Sequence, residues 1–476
     1  MLSTPPGKTT ELWPPLGLLY IAANVKKHQA AEIKILDAFC LNLGQEELVA
    51  RIVEEKPDLF GMNCSTHTFL DAMNVFHEVA RRLPDTILML GGYHATFAAE
   101  KILRAYPHID YIIKGEAEEA LVELLMALKE GKEPLQVQGI SYFKDGLYHT
   151  NPIAIVKDLD ALPPIDRSLL SGVEYGYSLQ GIPLTFGKFT TISTSRGCPF
   201  DCSYCSCASF SLRKWRYRSA EKVVAEMKEL DTAGYKNVVL VDDNFTQKTD
   251  RVRRICELIR QEGIRMRFYC EGRVNNASPE LMKTMKKAGF DVMYFGAESG
   301  CQKVLDYYNK NINPAQTRAA VQAAKAANMI VVTSFIFGAP IESVEDKKQT
   351  IEFIRSLRPH AVQINILDYL VGTPLWEEME KAGRLSSEAW MTNHRVYEYD
   401  RGFDQATLET LVNEGYATYI DAWKTKDGVR EFMRLLAKNG TARRIVFSNL
   451  FNPKARAIIA DGMKVFDEPQ KGPGDD

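Results

Sequence analysis

Ser195-Arg196-Gly197-Cys198-Pro199-Phe200-Asp201-Cys202-Ser203-Tyr204-Cys205 places three thiols within eight residues. It follows directly on Phe189 to Ser193, which reads as the first strand of an alternating series, so the cysteines sit in a strand-to-helix loop. A loop holding Gly197 and Pro199 need not keep strand or helix geometry, and thiolates spaced C-x3-C-x2-C can converge on one iron-sulfur cluster. Three ligands leave a fourth iron open, as a catalytic zinc keeps one position for its reactant. The competing readings are three unrelated thiols and a structural zinc site completed by Cys207.

Downstream, strands are predicted near Val238 to Val241, Met266 to Cys270, Val292 to Gly296, Ile330 to Phe337 and Val362 to Leu367, each followed by a helical pattern. Ser278-Pro279-Glu280 and Asn313-Pro314 put a capping residue before a first-turn proline, and Ser343-Val344-Glu345-Asp346 resembles a capping box. Six units over 188–376 predict a partial (β/α)6 barrel with its reactive rim at the carboxyl ends of the strands. Upstream, Ile33 to Leu36, Leu59 to Asn63, Ile87 to Leu90 and Tyr111 to Ile113 alternate with helical segments, which predicts a Rossmann-like doubly wound parallel sheet over 1–150. A hairpin around Lys144 to Gly146 and a linker over 151–187, stiffened by Pro163-Pro164, join the two. Residues 377–476 read as mainly helical, with Trp390, Tyr397, Tyr399, Tyr416, Tyr419 and Trp423 assigned chiefly to packing. The fold class is α/β throughout.

The chain has 476 residues, 45% hydrophobic and 25% charged, with a formal net charge of -2. That length implies more than one domain, and the charge gives no reason to expect a nucleic-acid partner. The longest apolar runs fall short of the roughly 20 residues of a membrane helix, and no secretory signal is read at the start. Nine cysteines, an odd number with three clustered, suit metal binding in a reducing compartment, so a cytoplasmic location is expected.

With Tyr204 in the aromatic position, Cys198 to Cys205 resembles the C-x3-C-x-aromatic-C signature of the radical S-adenosylmethionine superfamily. The resemblance implies that Cys198, Cys202 and Cys205 ligate a 4Fe-4S cluster whose open iron chelates S-adenosylmethionine, which the reduced cluster cleaves to a 5'-deoxyadenosyl radical. It places Tyr204 beside the adenine and leaves Cys207 outside the signature. Further landmarks follow in family order at predicted strand ends: Asp242-Asp243-Asn244, Glu271-Gly272-Arg273, Gly296-Ala297-Glu298-Ser299-Gly300, and Phe337-Gly338-Ala339-Pro340. They imply S-adenosylmethionine contacts by Asp243, Arg273, Glu298, Ser299 and Gly338.

In the amino-terminal region, Trp13-Pro14-Pro15-Leu16-Gly17, Asn63-Cys64-Ser65-Thr66-His67, Gly91-Gly92-Tyr93-His94 and Lys114-Gly115-Glu116-Ala117-Glu118 share one predicted sheet edge. That set resembles the cobalamin-binding domain preceding the radical domain in a large branch of the superfamily. It implies that Gly91 and Gly92 admit the corrin or its nucleotide tail close to the backbone, with Ser65 and Thr66 hydrogen-bonding the tail. No Asp-x-His-x-x-Gly motif occurs, which implies a base-off cofactor without a histidine ligand; His67 and His94 are expected to be hydrogen-bonded loop residues. The first strand is shortened to Met1 to Pro6.

Together the resemblances cover roughly residues 1–375 and imply a C-methyltransferase that uses methylcobalamin on an unactivated carbon of a small molecule or lipid, served by a reducing electron donor such as flavodoxin or ferredoxin. A cobalamin-dependent oxidative cyclase or rearrangement enzyme shares the domain order and stays open. A non-catalytic iron-sulfur or corrinoid carrier is disfavoured by the open coordination site and by six strand units with polar exits.

Overall fold

The computed structural model describes residues 1–7, 12–170, 172–179, 182–392 and 405–449; Tyr397 and Tyr399 lie outside them. Two compact units emerge, each discontinuous in sequence: the first comprises 1–177, 190–222 and the described part of 368–400, the second 178–189, 223–367 and the described part of 401–476.

The first unit is built on a seven-stranded sheet. Its strands are β1 (Leu2–Ser3), β2 (Ile35–Leu36), β3 (Leu59–Asn63), β4 (Ile87–Gly91), β5 (Tyr111–Ile113), β6 (Ile140–Lys144) and β7 (Leu147–Thr150), in the order β2-β1-β3-β4-β5-β6-β7. The first five are mutually parallel; β6 and β7, the expected hairpin, extend the sheet antiparallel, a pairing that periodicity alone did not reveal. Short as it is, β1 takes its place between β2 and β3, with Leu2 opposite both Ile35 and Gly61. Strand order reverses there, and in such sheets ligands bind outside the carboxyl ends of the strands at that switch point. Helices Leu16–Lys27 and Glu118–Lys129 bury Leu18, Val25, Leu121 and Leu124 with Leu2, Leu59 and Ile140 in one core. Each such burial contributes about 1.5–3 kcal/mol.

Next along the chain, β8 (Ser178–Leu179) and β9 (Ile182–Pro183) form a small hairpin, and β10 (Phe189–Ile192) leads into the cysteine loop. That loop is closed by a second hairpin, β11 (Ser195–Arg196) against β12 (Arg216–Tyr217). The second unit carries β13 (Asn237–Leu240), β14 (Arg267–Gly272), β15 (Phe290–Glu298), β16 (Ile330–Phe337) and β17 (Ala361–Ile366), all parallel and paired in chain order. With β10 they make the six strands of the predicted series. The three helix starts chosen from sequence are capped as expected: Ser278, Asn313 and Ser343 each accept a backbone N–H of the first turn. Helices Gln405–Lys424, Lys426–Lys438 and Gly440–Asn449 complete the unit. Tyr416 is buried with its hydroxyl accepting from the Ile364 N–H at 2.9 Å, and Tyr419 donates to the His360 carbonyl at 2.8 Å, so these aromatics serve packing.

Candidate functional site

In the first unit the cysteine loop is shaped by Gly197. Its φ is +83°, and a Cβ there would stand 2.4 Å from the Lys214 carbonyl oxygen and 2.6 Å from Ser211 Cβ, so only glycine lets the two stems close. The Cys205 N–H then bonds the Cys202 carbonyl at 3.1 Å, and Cys205 precedes the short helix Ser206–Phe210. Cys202 is buried, while Cys198, Cys205 and Cys207 are half-buried. Among the described residues no three His, Cys, Asp or Glu side chains form a group that would hold a single metal ion. A cubane cluster makes no such demand, because each thiolate binds a different iron. Three closely spaced soft donors on an irregular loop thus fit the cluster. Tyr204 is half-buried in the same loop.

The stems of this loop are held by the amino-terminal sheet. Arg216 is bidentate on Glu116, at 2.6 and 2.9 Å, and also donates to the Val156 carbonyl. Arg196 pairs with Glu118 at 2.6 Å and lies 3.5 Å from Glu116. Burial pushes the Glu116 carboxyl up, but hydrogen bonding from Arg216 and the charges of both arginines outweigh it and hold it below the usual range. Neither arginine was singled out from sequence, and the two acids were read only as part of a sheet edge.

At the switch point, Ser65 is exposed and opens a 3-10 turn, Thr66–Thr68, whose capping box it forms with Thr68. Gly17, at the start of the helix after β1, has open space where a side chain would stand, and nothing approaches the Cβ position of Gly91 closer than 3.8 Å. This small-residue edge fits a large flat cofactor with a polar tail. Two of the expected cofactor contacts also have partners within the protein. The Thr66 hydroxyl is buried against His94 Nδ1 at 3.1 Å. Gly92 has φ +95°, and the Cys64 carbonyl oxygen lies 2.5 Å from its Cβ position, so its glycine character also serves the crossing of two strand exits. His94 is wedged between Phe69 and Trp390, each with ring centroids at 4.7 Å, and burial lowers its pKa to about 3, with His67 adding to the effect. His67 Nε2 meets Asp368 at 2.5 Å.

In the second unit, β15 and β16 shift register between Gly296 and Glu298, and Glu298 adopts φ +60°, a left-handed conformation uncommon outside glycine. The shift turns the carboxylate onto Lys310 at 2.5 Å, with both side chains buried. Gly296 makes room, since a Cβ there would lie 2.3 Å from Glu298 Oε1. Arg273, also buried, donates to the Lys310 carbonyl. Asp243 is exposed at the end of the β13 segment, and Asp242 beside it is buried. Glu271 keeps solvent access yet is closely ringed by protein; this crowding, with the charges of Asp243 and Glu298, raises its carboxyl to about 7. Sequence reading quoted Glu271 only as part of a landmark and passed over Lys310, although a buried Glu298 calls for a cationic partner. The Gly338 N–H, at φ +103°, donates to Glu342 at 2.8 Å. Ser299 is fully buried; its hydroxyl bonds Thr350 at 3.0 Å and accepts the Cys301 N–H at 3.1 Å, so it braces the turn.

Residues 192–354 match the Radical SAM superfamily and residues 7–125 match the B12 binding domain. An uncharacterized methyltransferase of Pyrococcus horikoshii, PH0819, is 33% identical over 367 residues, covering 76% of this chain and 78% of the relative. The anaerobic magnesium-protoporphyrin IX monomethyl ester cyclase of Cereibacter sphaeroides is 27% identical over 376 residues, covering 77% of this chain and 60% of that protein. Among solved structures, the radical S-adenosylmethionine methyltransferase TsrM from Kitasatospora setae, with cobalamin and a 4Fe-4S cluster bound, superposes with TM-score 0.67 at 16% identity, covering 88% of each chain.

Proposed function

This chain belongs to the B12-binding branch of the radical S-adenosylmethionine superfamily, and on that premise we propose that it is a C-methyltransferase acting on an unactivated carbon of a small molecule or lipid. The observation that carries the reading is the makeup of the first unit, in which the cysteine loop and the B12-matching sheet form one compact body joined by buried ion pairs. A radical source and a methyl donor that must serve one carbon atom gain from such common anchorage, since reacting groups have to be held within near-attack distance.

The family's cofactors, a 4Fe-4S cluster, S-adenosylmethionine and cobalamin, supply one-electron cleavage and a transferable methyl group. Cys198, Cys202 and Cys205 are assigned as cluster ligands. Tyr204, Asp243, Arg273, Glu298, Ser299 and Gly338 are assigned to S-adenosylmethionine, and Ser65, Thr66, Gly91 and Gly92 to the corrinoid. Glu298, oriented by Lys310 and by the register shift, offers a fixed carboxylate to a cationic group. A low-potential donor such as flavodoxin or ferredoxin is the expected reductant. Among the described residues no helix is long and apolar enough to cross a membrane; a cytoplasmic setting is proposed because three clustered thiols suit metal binding in a reducing compartment.

The test is anaerobic purification, reconstitution with iron and sulfide, addition of cobalamin and a strong reductant, and mass analysis of products from S-adenosylmethionine, with a Cys198→Ala/Cys202→Ala/Cys205→Ala control. Formation of 5'-deoxyadenosine that needs the cysteines, with methylation of bound corrinoid, is the expected result. Deoxyadenosine without methyl transfer to corrinoid overturns the methyltransferase reading in favour of the cyclase class, to which the Cereibacter relative belongs by name.

A further inference from the structure

The hairpin that closes the cysteine loop has an unusual cross-strand pair. Its two registered pairs are Ser195 opposite Tyr217 and Arg196 opposite Arg216. Like charges directly opposite one another destabilise an antiparallel pair, and a two-pair hairpin has little to set against the entropy of closing residues 197–215. Both arginine side chains are nearly buried, at 15% and 9% exposure, where uncompensated charge is costlier still. The compensation comes from outside the hairpin. Glu116 and Glu118, at the exit of β5 and the start of the following helix, are 9% and 4% exposed, and each is aimed at an arginine. Val156 adds a bond at each end, its N–H donating to Glu116 at 2.6 Å and its carbonyl accepting from Arg216.

We propose that Glu116 and Glu118 are positioning residues that latch the cysteine loop: by neutralising the opposed Arg196–Arg216 pair they allow the hairpin to close and so preform the cluster-binding loop. The carboxylates touch no reacting atom; they act through the arginines. The proposal rests on the reading that the loop holds the cluster, but the latch itself belongs to the chain without any cofactor.

The experiment uses the full chain in three forms: unaltered, Glu118→Gln, and Glu118→Gln/Arg196→Met, in which the like-charge pair has been abolished together with its counter-ion. Hydrogen exchange of the cofactor-free proteins is followed for amides of 197–215, with amides of β3 and β4 as internal reference. Iron per chain is then measured after anaerobic reconstitution, along with the electron paramagnetic resonance spectrum of the reduced cluster with and without S-adenosylmethionine. Glu118→Gln is expected to speed exchange in the loop at least tenfold with β3 and β4 unchanged, to lower iron retention severalfold, and to broaden the spectral change that S-adenosylmethionine causes. The double variant is expected to recover most of both losses. Unchanged loop exchange in Glu118→Gln, or a double variant no better than the single, overturns the latch. If Glu118→Gln does not fold, the double variant decides: near-normal loop exchange supports the proposal, and an open loop overturns it. Should the unaltered chain retain no more iron than the triple-alanine control, the cluster reading fails while the exchange result still judges the latch.

Discussion

Replacing Gly197 with alanine separates two costs that usually arrive together. The first is conformational: a left-handed φ costs an L-residue about 1–2 kcal/mol. Gly187, at φ +84°, supplies the control, because its Cβ position is 3.7 Å from the nearest atom, the Lys236 side chain, and an alanine there meets only this conformational cost. The second cost is steric and specific to Gly197, where the Lys214 carbonyl oxygen stands 2.4 Å from the new atom. Lys214 precedes β12 closely, so relief means moving one hairpin stem away from the other. Overpacking of this kind costs about 1–3 kcal/mol, which converts to roughly a 5- to 150-fold shift toward the open loop beyond what Gly187→Ala produces. Iron per chain after anaerobic reconstitution, together with the visible absorbance of the cluster, reports the shift. Gly187→Ala is expected to load iron like the unaltered protein and Gly197→Ala to load a small fraction of it. Equal loading by the two variants would refute the argument that the glycine exists to let the stems close.

Other consequences follow from buried charge. Lys310→Met leaves Glu298 without its cation and is expected to cost about 3–5 kcal/mol in the urea stability of the second unit, with most of the loss restored in Lys310→Met/Glu298→Gln. Glu271, with a folded-state pKa raised from 4.5 to about 7, binds more protons folded than unfolded between those values, so its contribution to stability declines as pH rises through that window. Thermal melts of Glu271→Gln at pH 5 and pH 7.5 should accordingly differ less than those of the unaltered chain. His94 has the opposite sign: lowered from 6.5 to about 3 by burial, it withholds a proton that the unfolded chain takes up. Stability is expected to fall as pH drops below about 6.5, and His94→Phe to flatten that acid limb in a circular-dichroism titration.

The legible part of the fold was the part with a period. Strand-helix alternation located β3, β4 and β5 and the later strands from β13 to β17 to within a few residues, and proline and serine marked helix starts because capping is local chemistry. What escaped was long-range or had no period. The two-residue β1 is a strand because β2 and β3 flank it, and the antiparallel addition of β6 and β7 depends on an edge left open by β5. The same division runs through the candidate site. Cys198, Cys202 and Cys205 are visible because their ligand spacing is local. Glu116 and Arg216 are a hundred residues apart in the chain, and nothing in either neighbourhood announces the other. Small residues at strand exits carry a double meaning: Thr66, Gly92 and Ser299 stand where ligands bind, and their internal contacts also brace those exits.

The makeup of the first unit sets a rule for anyone who would graft this protein's parts onto others. A cut in the linker, the natural place to divide the chain by sequence, separates Glu116 and Glu118 from their arginines and uncovers the Phe69–His94–Trp390 stack, whose third member comes from the far end of the chain. The excised amino-terminal piece would then carry bare buried acids and a raw aromatic face, and a foreign radical domain would arrive without the matching arginines. Working chimeras should exchange 1–177, 190–222 and 368–392 as one set, and the two acid–arginine pairs should change hands together wherever such domains have been recombined.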